Sequence, residues 1–190
     1  MAEKLVLRAM RKMFMGVVDG STTTYHRMKG FTTLSESKNP IEYSRKYVDE
    51  SFETTDVTGM SSSYDFTFDM LTPNAVLDDI AGIIDGEKLG TAAVREFVSV
   101  DFYKPSGDGY EAVKRSFSII GSTVGDGTDA LTYSGTMRVQ TSMVKGVAVI
   151  TTPANGNSET VETITFSEGA GAMVTAETPT AKASNYSEDY

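Results

Sequence analysis

Residues 63–70 alternate with a period of two. Tyr64, Phe66, Phe68 and Met70 fall on one side, and Ser63, Asp65, Thr67 and Asp69 on the other. A period of two is the signature of a strand with one buried face. The same alternation recurs in Leu131, Tyr133, Gly135, Met137 and Val139, and again in Val98, Val100 and Phe102. Val113, Phe117 and Ile119 mark a further strand between the turns 105–109 and 125–127. Strands over 143–150 and 160–166 flank Asn155-Gly156, a tight-turn signal. Residues 13–18 and 24–28 flank Asp19-Gly20 and predict an N-terminal hairpin.

One segment has helical spacing instead. Val76, Leu77, Ile80, Ile83 and Ile84 share one face, with Asp78 and Asp79 opposite. Thr72 is the expected cap, Pro73 the first helical residue and Gly86 the left-handed terminus, giving a helix over 73–85. Short strands separated by turn residues predict a mostly β fold: a two-sheet antiparallel β-sandwich or partial barrel flanked by one α-helix.

Between the expected hairpin and strand 63–70 lies a polar stretch, 30–58, with no sustained period. It carries Lys38, Glu42, Arg45, Lys46, Asp49 and Glu50, with Tyr43 and Tyr47 between them. Structureless loops longer than about 15 residues are normally functional or disordered. The segment reads as a long charged loop that docks on another copy of the chain. Residues 1–12 read as an extended N-terminal arm, 13–166 as the β-domain, and 167–190 as a tail that is flexible or touches a neighbour, with Val174 and Tyr186 as its anchors.

Charge sharpens this picture. The net charge is −9 over 190 residues. Residues 1–30 hold six basic side chains against two acids, so the rest of the chain is strongly acidic. An acidic chain is not a sequence reader of nucleic acid, which needs a basic face. The basic N-terminus, with Arg8, Arg11 and Lys12, can instead meet the acidic body of an identical neighbour. No apolar run approaches the roughly 20 residues that span a bilayer, so no membrane partner is expected. The charges spread through 1–16 also leave no apolar centre for a signal peptide.

The residues offer little chemistry. There is no cysteine and a single histidine, His26, which argues against zinc, thiol and triad sites. Gly121-Ser122-Thr123-Val124-Gly125 places its serine one position too early for a nucleophile elbow. Residues 86–91 lack the spacing of a phosphate loop, and 126–129 read as a turn rather than a calcium loop. Adjacent acids such as Asp49-Glu50 and Asp78-Asp79 do not converge on a substrate. No catalytic residue, metal or cofactor is expected, and the chain does not read as an enzyme.

The wording of the loop carries a resemblance. Gly30-Phe31-Thr32-Thr33-Leu34, Ser37-Lys38-Asn39-Pro40, Glu42-Tyr43, Arg45-Lys46-Tyr47-Val48-Asp49-Glu50 and Asp56-Val57-Thr58-Gly59 resemble the corresponding segment of bacteriophage major tail (tail tube) proteins. The order that follows is similar too: a strand with Phe66-Thr67-Phe68-Asp69, a helix, then several strands. The resemblance covers roughly 13–166 and implies a structural virion protein. Six copies would close into a ring, inner sheets joining into one barrel, and rings would stack into a tube that conducts double-stranded DNA. It implies the terminator, distal tail and tape-measure proteins as partners, and a sheath protein if the tail contracts. It also implies assembly in the bacterial host cytoplasm and residence in the virion tail. Asp65 and Asp69 are the expected lumen-facing acids. Two other readings fit the residues: the tube of a tailocin or type VI secretion-like machine, and a monomeric ligand-binding β-sandwich.

Overall fold

The computed structural model describes residues 5–125, 129–152 and 162–169. Eleven strands are present in them: β1 Arg11–Asp19, β2 Thr22–Arg27, β3 Phe31–Ser37, β4 Pro40–Arg45, β5 Thr54–Met60, β6 Ser63–Asp69, β7 Val94–Ser106, β8 Gly109–Val124, β9 Thr132–Val139, β10 Val144–Thr152 and β11 Thr163–Glu168. One α-helix, α1, spans Ala75–Ile84. All strand pairs are antiparallel. The mostly β fold with one flanking helix is as the sequence predicts.

Nine strands form one sheet in the order β10-β11-β2-β1-β7-β8-β9-β6-β3. A further pairing of β10 with β8 closes its first six strands into a barrel. The long strand β8 is the fork. Its residues 110–114 pair with β10, and its residues 117–124 pair with β9. The strands β9, β6 and β3 therefore leave the barrel wall as a wing.

Two cores result. Phe14, Val98, Val100, Phe102, Ala112, Ala148 and Ile164 fill the barrel. Met13, Met15, Phe97, Phe117, Ile119, Met137, Phe66 and Phe68 pack with α1 outside it. Strand β1 serves both, because successive side chains point to opposite faces. That is why Met13-Phe14-Met15 is an unbroken apolar run where a one-sided strand would alternate. Phe97-Val98 repeats the device in β7.

The helix differs from its sequence reading at both ends. Asn74, not Thr72, is the cap: its side-chain oxygen accepts from the amides of Val76 and Leu77 at 3.2 and 3.4 Å. Pro73 precedes the helix. Past the C-terminus the left-handed residue is Glu87, with φ of 46°, and not Gly86. The apolar face is as expected, with Val76, Leu77, Ile80 and Ile83 buried. Asp79 does not simply face solvent: it forms a two-pronged ion pair with Arg95 at 2.6 and 2.8 Å, tying α1 to β7.

Gly121 and Gly135 sit opposite each other on β8 and β9. A Cβ at Gly121 would lie 2.6 Å from the Ile84 side chain of α1. One at Gly135 would lie 2.3 Å from the Ile120 carbonyl oxygen and 2.8 Å from the Phe66 ring. A backbone carbonyl in a ladder cannot step aside, so Gly135→Ala is expected to cost about 1–3 kcal/mol. Chemical denaturation of the variant checks this, and an unchanged midpoint would show that β9 shifts freely.

Residues 153–161, expected to hold the Asn-Gly turn, lie outside the described residues, as do 126 and 127 of the expected turn 125–127. Strand β11 runs to Glu168, so Ser167 and Glu168 belong to the sheet and not to the expected tail. Val174 and Tyr186 are also outside the described residues.

Candidate assembly surfaces

The segment expected as one long loop is two structures. Residues 31–37 form β3, the outer strand of the wing, in register with β6 from Phe31↔Phe68 to Ser37↔Ser63. Residues 40–60 form a separate β-hairpin, β4 paired with β5. No side chain of β4 is buried, and in β5 only Gly59 is less than exposed. A hairpin without a buried face has no reason to show a hydrophobic period, which is why sequence read it as a loop. Asn39, held at φ of 42°, is its hinge. The Asn39 side-chain amide donates to the Ser61 carbonyl and the Ser63 hydroxyl at 3.0 and 3.1 Å. The Ser61 amide closes the base by donating to the Asn39 carbonyl at 2.9 Å.

The sequence-predicted contact residues are distributed along this arm. Lys38 stands at its base, paired with Glu36. Tyr43 and Arg45 lie on β4, and Lys46, Tyr47, Asp49 and Glu50 occupy the tip between the strands. The Arg45 guanidinium stacks over the rings of Tyr43 and Tyr47, 5.6 and 5.9 Å from their centroids. The tip also holds two residues the charge pattern concealed. Phe52 is 84% exposed and Val48 is fully exposed. Large apolar groups held in water at the end of a pinned arm make this tip a candidate contact surface.

The basic N-terminus is partly built into the domain. A 3-10 helical turn at Arg8–Met10 leads directly into β1, so Arg11 and Lys12, expected in the free arm, are strand residues. The Arg11 guanidinium donates to both Asp101 oxygens at 2.5 and 2.8 Å. Lys12 is buried, with its ammonium 5.3 Å from the centroid of the Phe102 ring. Arg8 donates to the Arg11 carbonyl at 2.7 Å and remains exposed. Of the three, Arg8 presents its charge outward with no ion pair among the described residues.

The Arg11 hydrogen bonds hold the Asp101 carboxyl below the usual carboxylate range. A lowered folded-state pKa stabilises above the unfolded pKa and is lost as pH falls through the folded one. The wild type should therefore melt above Asp101→Asn at neutral pH. The gap should close as pH falls below about 4, the ordinary Asp value. A gap that widens in acid would contradict the ion pair.

Asp65 and Asp69 lie on the face of β6 opposite Phe66 and Phe68, as predicted. Asp65 is exposed, while Asp69 is half-buried and accepts from the Thr132 hydroxyl at 3.3 Å. Strands β6 and β9 are neighbours, and their polar faces join. Asp65, Thr67 and Asp69 stand opposite Thr136, Ser134 and Thr132. Ser35 and Thr33 of β3 extend the same face. The result is one surface of hydroxyls and carboxylates, with Arg138 at one end beside Ser63.

Where β10 and β9 diverge from β8, a groove of about 590 Å³ opens on the outer barrel wall. Its floor includes Met13, Tyr64, Phe97 and Phe117. Burial, with Glu36 beside it, pushes the Tyr64 hydroxyl pKa up. The rim is charged and includes Lys38 at the base of the arm.

His26 is the penultimate residue of β2, opposite Met15 and Thr163. Ser122 lies within β8, and its hydroxyl is 3.1 Å from the Ser134 hydroxyl. Among the described residues no cluster of His, Cys, Asp and Glu could hold a metal, and no helix is long and apolar enough to cross a membrane.

No protein-family model matches this chain, and no curated protein matches it. Among solved structures it is similar to the SPP1 tail tube protein, determined by solid-state NMR and cryo-EM, with a TM-score of 0.63 and 17% identity. The match covers 80% of this chain and 85% of that one. The chain has the fold of a phage tail tube protein.

Proposed function

We infer that this chain is the structural subunit of a hollow phage tail tube, in which rings of six copies stack and conduct double-stranded DNA. The observation that carries the reading is the wing. Its two outer edges are open and unlike. Among the described residues, strand β3 has no partner beyond it. Among the described residues, 119–124 of β8 pair only with β9, and the chain is exposed from Ile120 to Val124. An unpaired edge is a template for another strand. Two unlike edges on one sheet join head to tail, and a head-to-tail contact closes into a ring when the rotation permits. The fold likeness to a tail tube supports the same arrangement. Negative-stain microscopy of the purified chain tests it. Hollow rings or tubes are expected, and a monodisperse monomer at high concentration would overturn the reading.

In such a ring the hydroxyl and carboxylate face of the wing lines the lumen. Acids there repel phosphates, and DNA binding gains its free energy largely from counterions released to solution when cationic side chains neutralise phosphates. The lumen lets DNA slide because it offers few such cations. Asp65→Lys with Asp69→Lys is expected to assemble normally but to retain DNA and cut infectivity at least tenfold. Normal ejection by the double variant would place this face elsewhere.

A further inference from the structure

We propose that the groove on the outer barrel wall is the seat of this chain's own C-terminal segment, which closes over it from residue 170 as a strap. The strap belongs to the single chain and goes beyond the tube reading. Strand β11 delivers it there. Glu168 is the last residue of β11, and the amide of Gly169 donates to the Lys145 carbonyl at 3.2 Å. Gly169 and Lys145 both line the groove. The residues that follow are Ala170-Gly171-Ala172-Met173-Val174. At roughly 3.3–3.6 Å per residue, Met173 can reach about 14 Å beyond Gly169. A tether this short holds its end at an effective concentration of order mM, which the segment of a second copy would have to exceed.

The groove matches the segment in chemistry. Its volume of about 590 Å³ is that of an enclosing binding cleft. On its lining Met143 is 54% exposed, and Tyr64, Val113 and Val147 are half-buried. Met173 and Val174 supply apolar groups to cover them. The groove's acids are already satisfied within the chain. Asp101 is paired with Arg11, Glu36 with Lys38, and Glu111 with Lys104. Arg115 and Lys145, on the same lining, make no ion pair among the described residues. Residues 170–190 carry Glu177, Glu188 and Asp189 against Lys182. An acidic segment with an apolar start thus leaves the fold beside a groove with an apolar wall and surplus positive charge.

The absence of native cysteine makes a disulfide test clean. The full chain with Met143→Cys and Val174→Cys is mildly oxidised in dilute solution. A second chain, with Val147→Cys and Val174→Cys, repeats the test from another lining position. In at least one pair both thiols should be consumed while the protein stays at 20.5 kDa on a denaturing, non-reducing gel. Adding Met173→Ser and Glu177→Lys keeps the tether length but removes an apolar and an acidic group. That change should slow closure at least fivefold. Closure at an unchanged rate would reflect the tether alone and overturn the proposal. Thiols that persist in both pairs would overturn it too. So would a ladder at multiples of 20.5 kDa, which would give the groove to the segment of another copy.

Discussion

Replacing Phe68 with alanine should lower the free energy of unfolding by about 3–5 kcal/mol, the usual loss for a buried aromatic ring. Phe68 is 0% exposed. Its ring stacks on Tyr133 at 5.3 Å and on Phe66 at 6.1 Å, and meets the edge of Phe31 at 5.3 Å. The neighbours come from β9, β6 and β3, so one ring ties the whole wing to the helix side of the sheet. The surrounding rings are held by three different strands and cannot collapse into the space together. A domain of ordinary stability has roughly 5–15 kcal/mol in total, so the variant stands near the limit of folding. Thr67→Ala on the same strand is the internal control, expected within about 0.5 kcal/mol because it faces the polar side. Urea melts of the two variants check the result. Equal losses at both positions would mean that β6 is buried on both faces.

That alternation was legible because β6, β9 and much of β7 bury one face and wet the other. The same logic explains what stayed hidden. Strand β1 is buried on both faces, so Met13-Phe14-Met15 marks a strand but says nothing of two separate cores. The fork in β8 is a matter of partners far along the chain, with β10 on one half and β9 on the other. No local pattern encodes it, which is why the sequence left sandwich and partial barrel undivided. The helix ends failed for a different reason. Thr72-Pro73 has the composition of a helix start, but Asn74 lies where a side-chain oxygen reaches two free amides.

The site was legible in part. Composition found the arm as a place of unusual charge and tyrosine content, and the polarity of β6 placed Asp65 and Asp69 correctly on its open face. Counting charges could not say which of them are already used. Arg11 and Lys38 are neutralised by Asp101 and Glu36 of the same chain, partners 90 and 2 residues away. The residues that distinguish the arm tip, Val48 and Phe52, look like ordinary core candidates in sequence. Only their exposure on a hairpin without a buried face makes them candidate contact groups.

Excising the arm should separate ring formation from stacking. Asn39 and Ser61 are already joined by a backbone hydrogen bond of 2.9 Å, so an Asn-Gly pair in place of residues 40–60 can close a two-residue hairpin turn there. No arm side chain is buried in either core, so the excised chain should melt within a few degrees of the wild type. The wing edges at β3 and residues 119–124 are untouched, and rings should persist. Tubes should not. Burying Val48 and Phe52 contributes roughly 1.5–3 kcal/mol each, and a ring repeats the contact in every copy. Losing it should therefore drop the polymerised fraction by orders of magnitude rather than weaken it slightly. Sedimentation and electron microscopy of the excised chain read the outcome. Full-length tubes from it would remove the arm from stacking, and loss of rings together with tubes would place the arm within the ring contact instead.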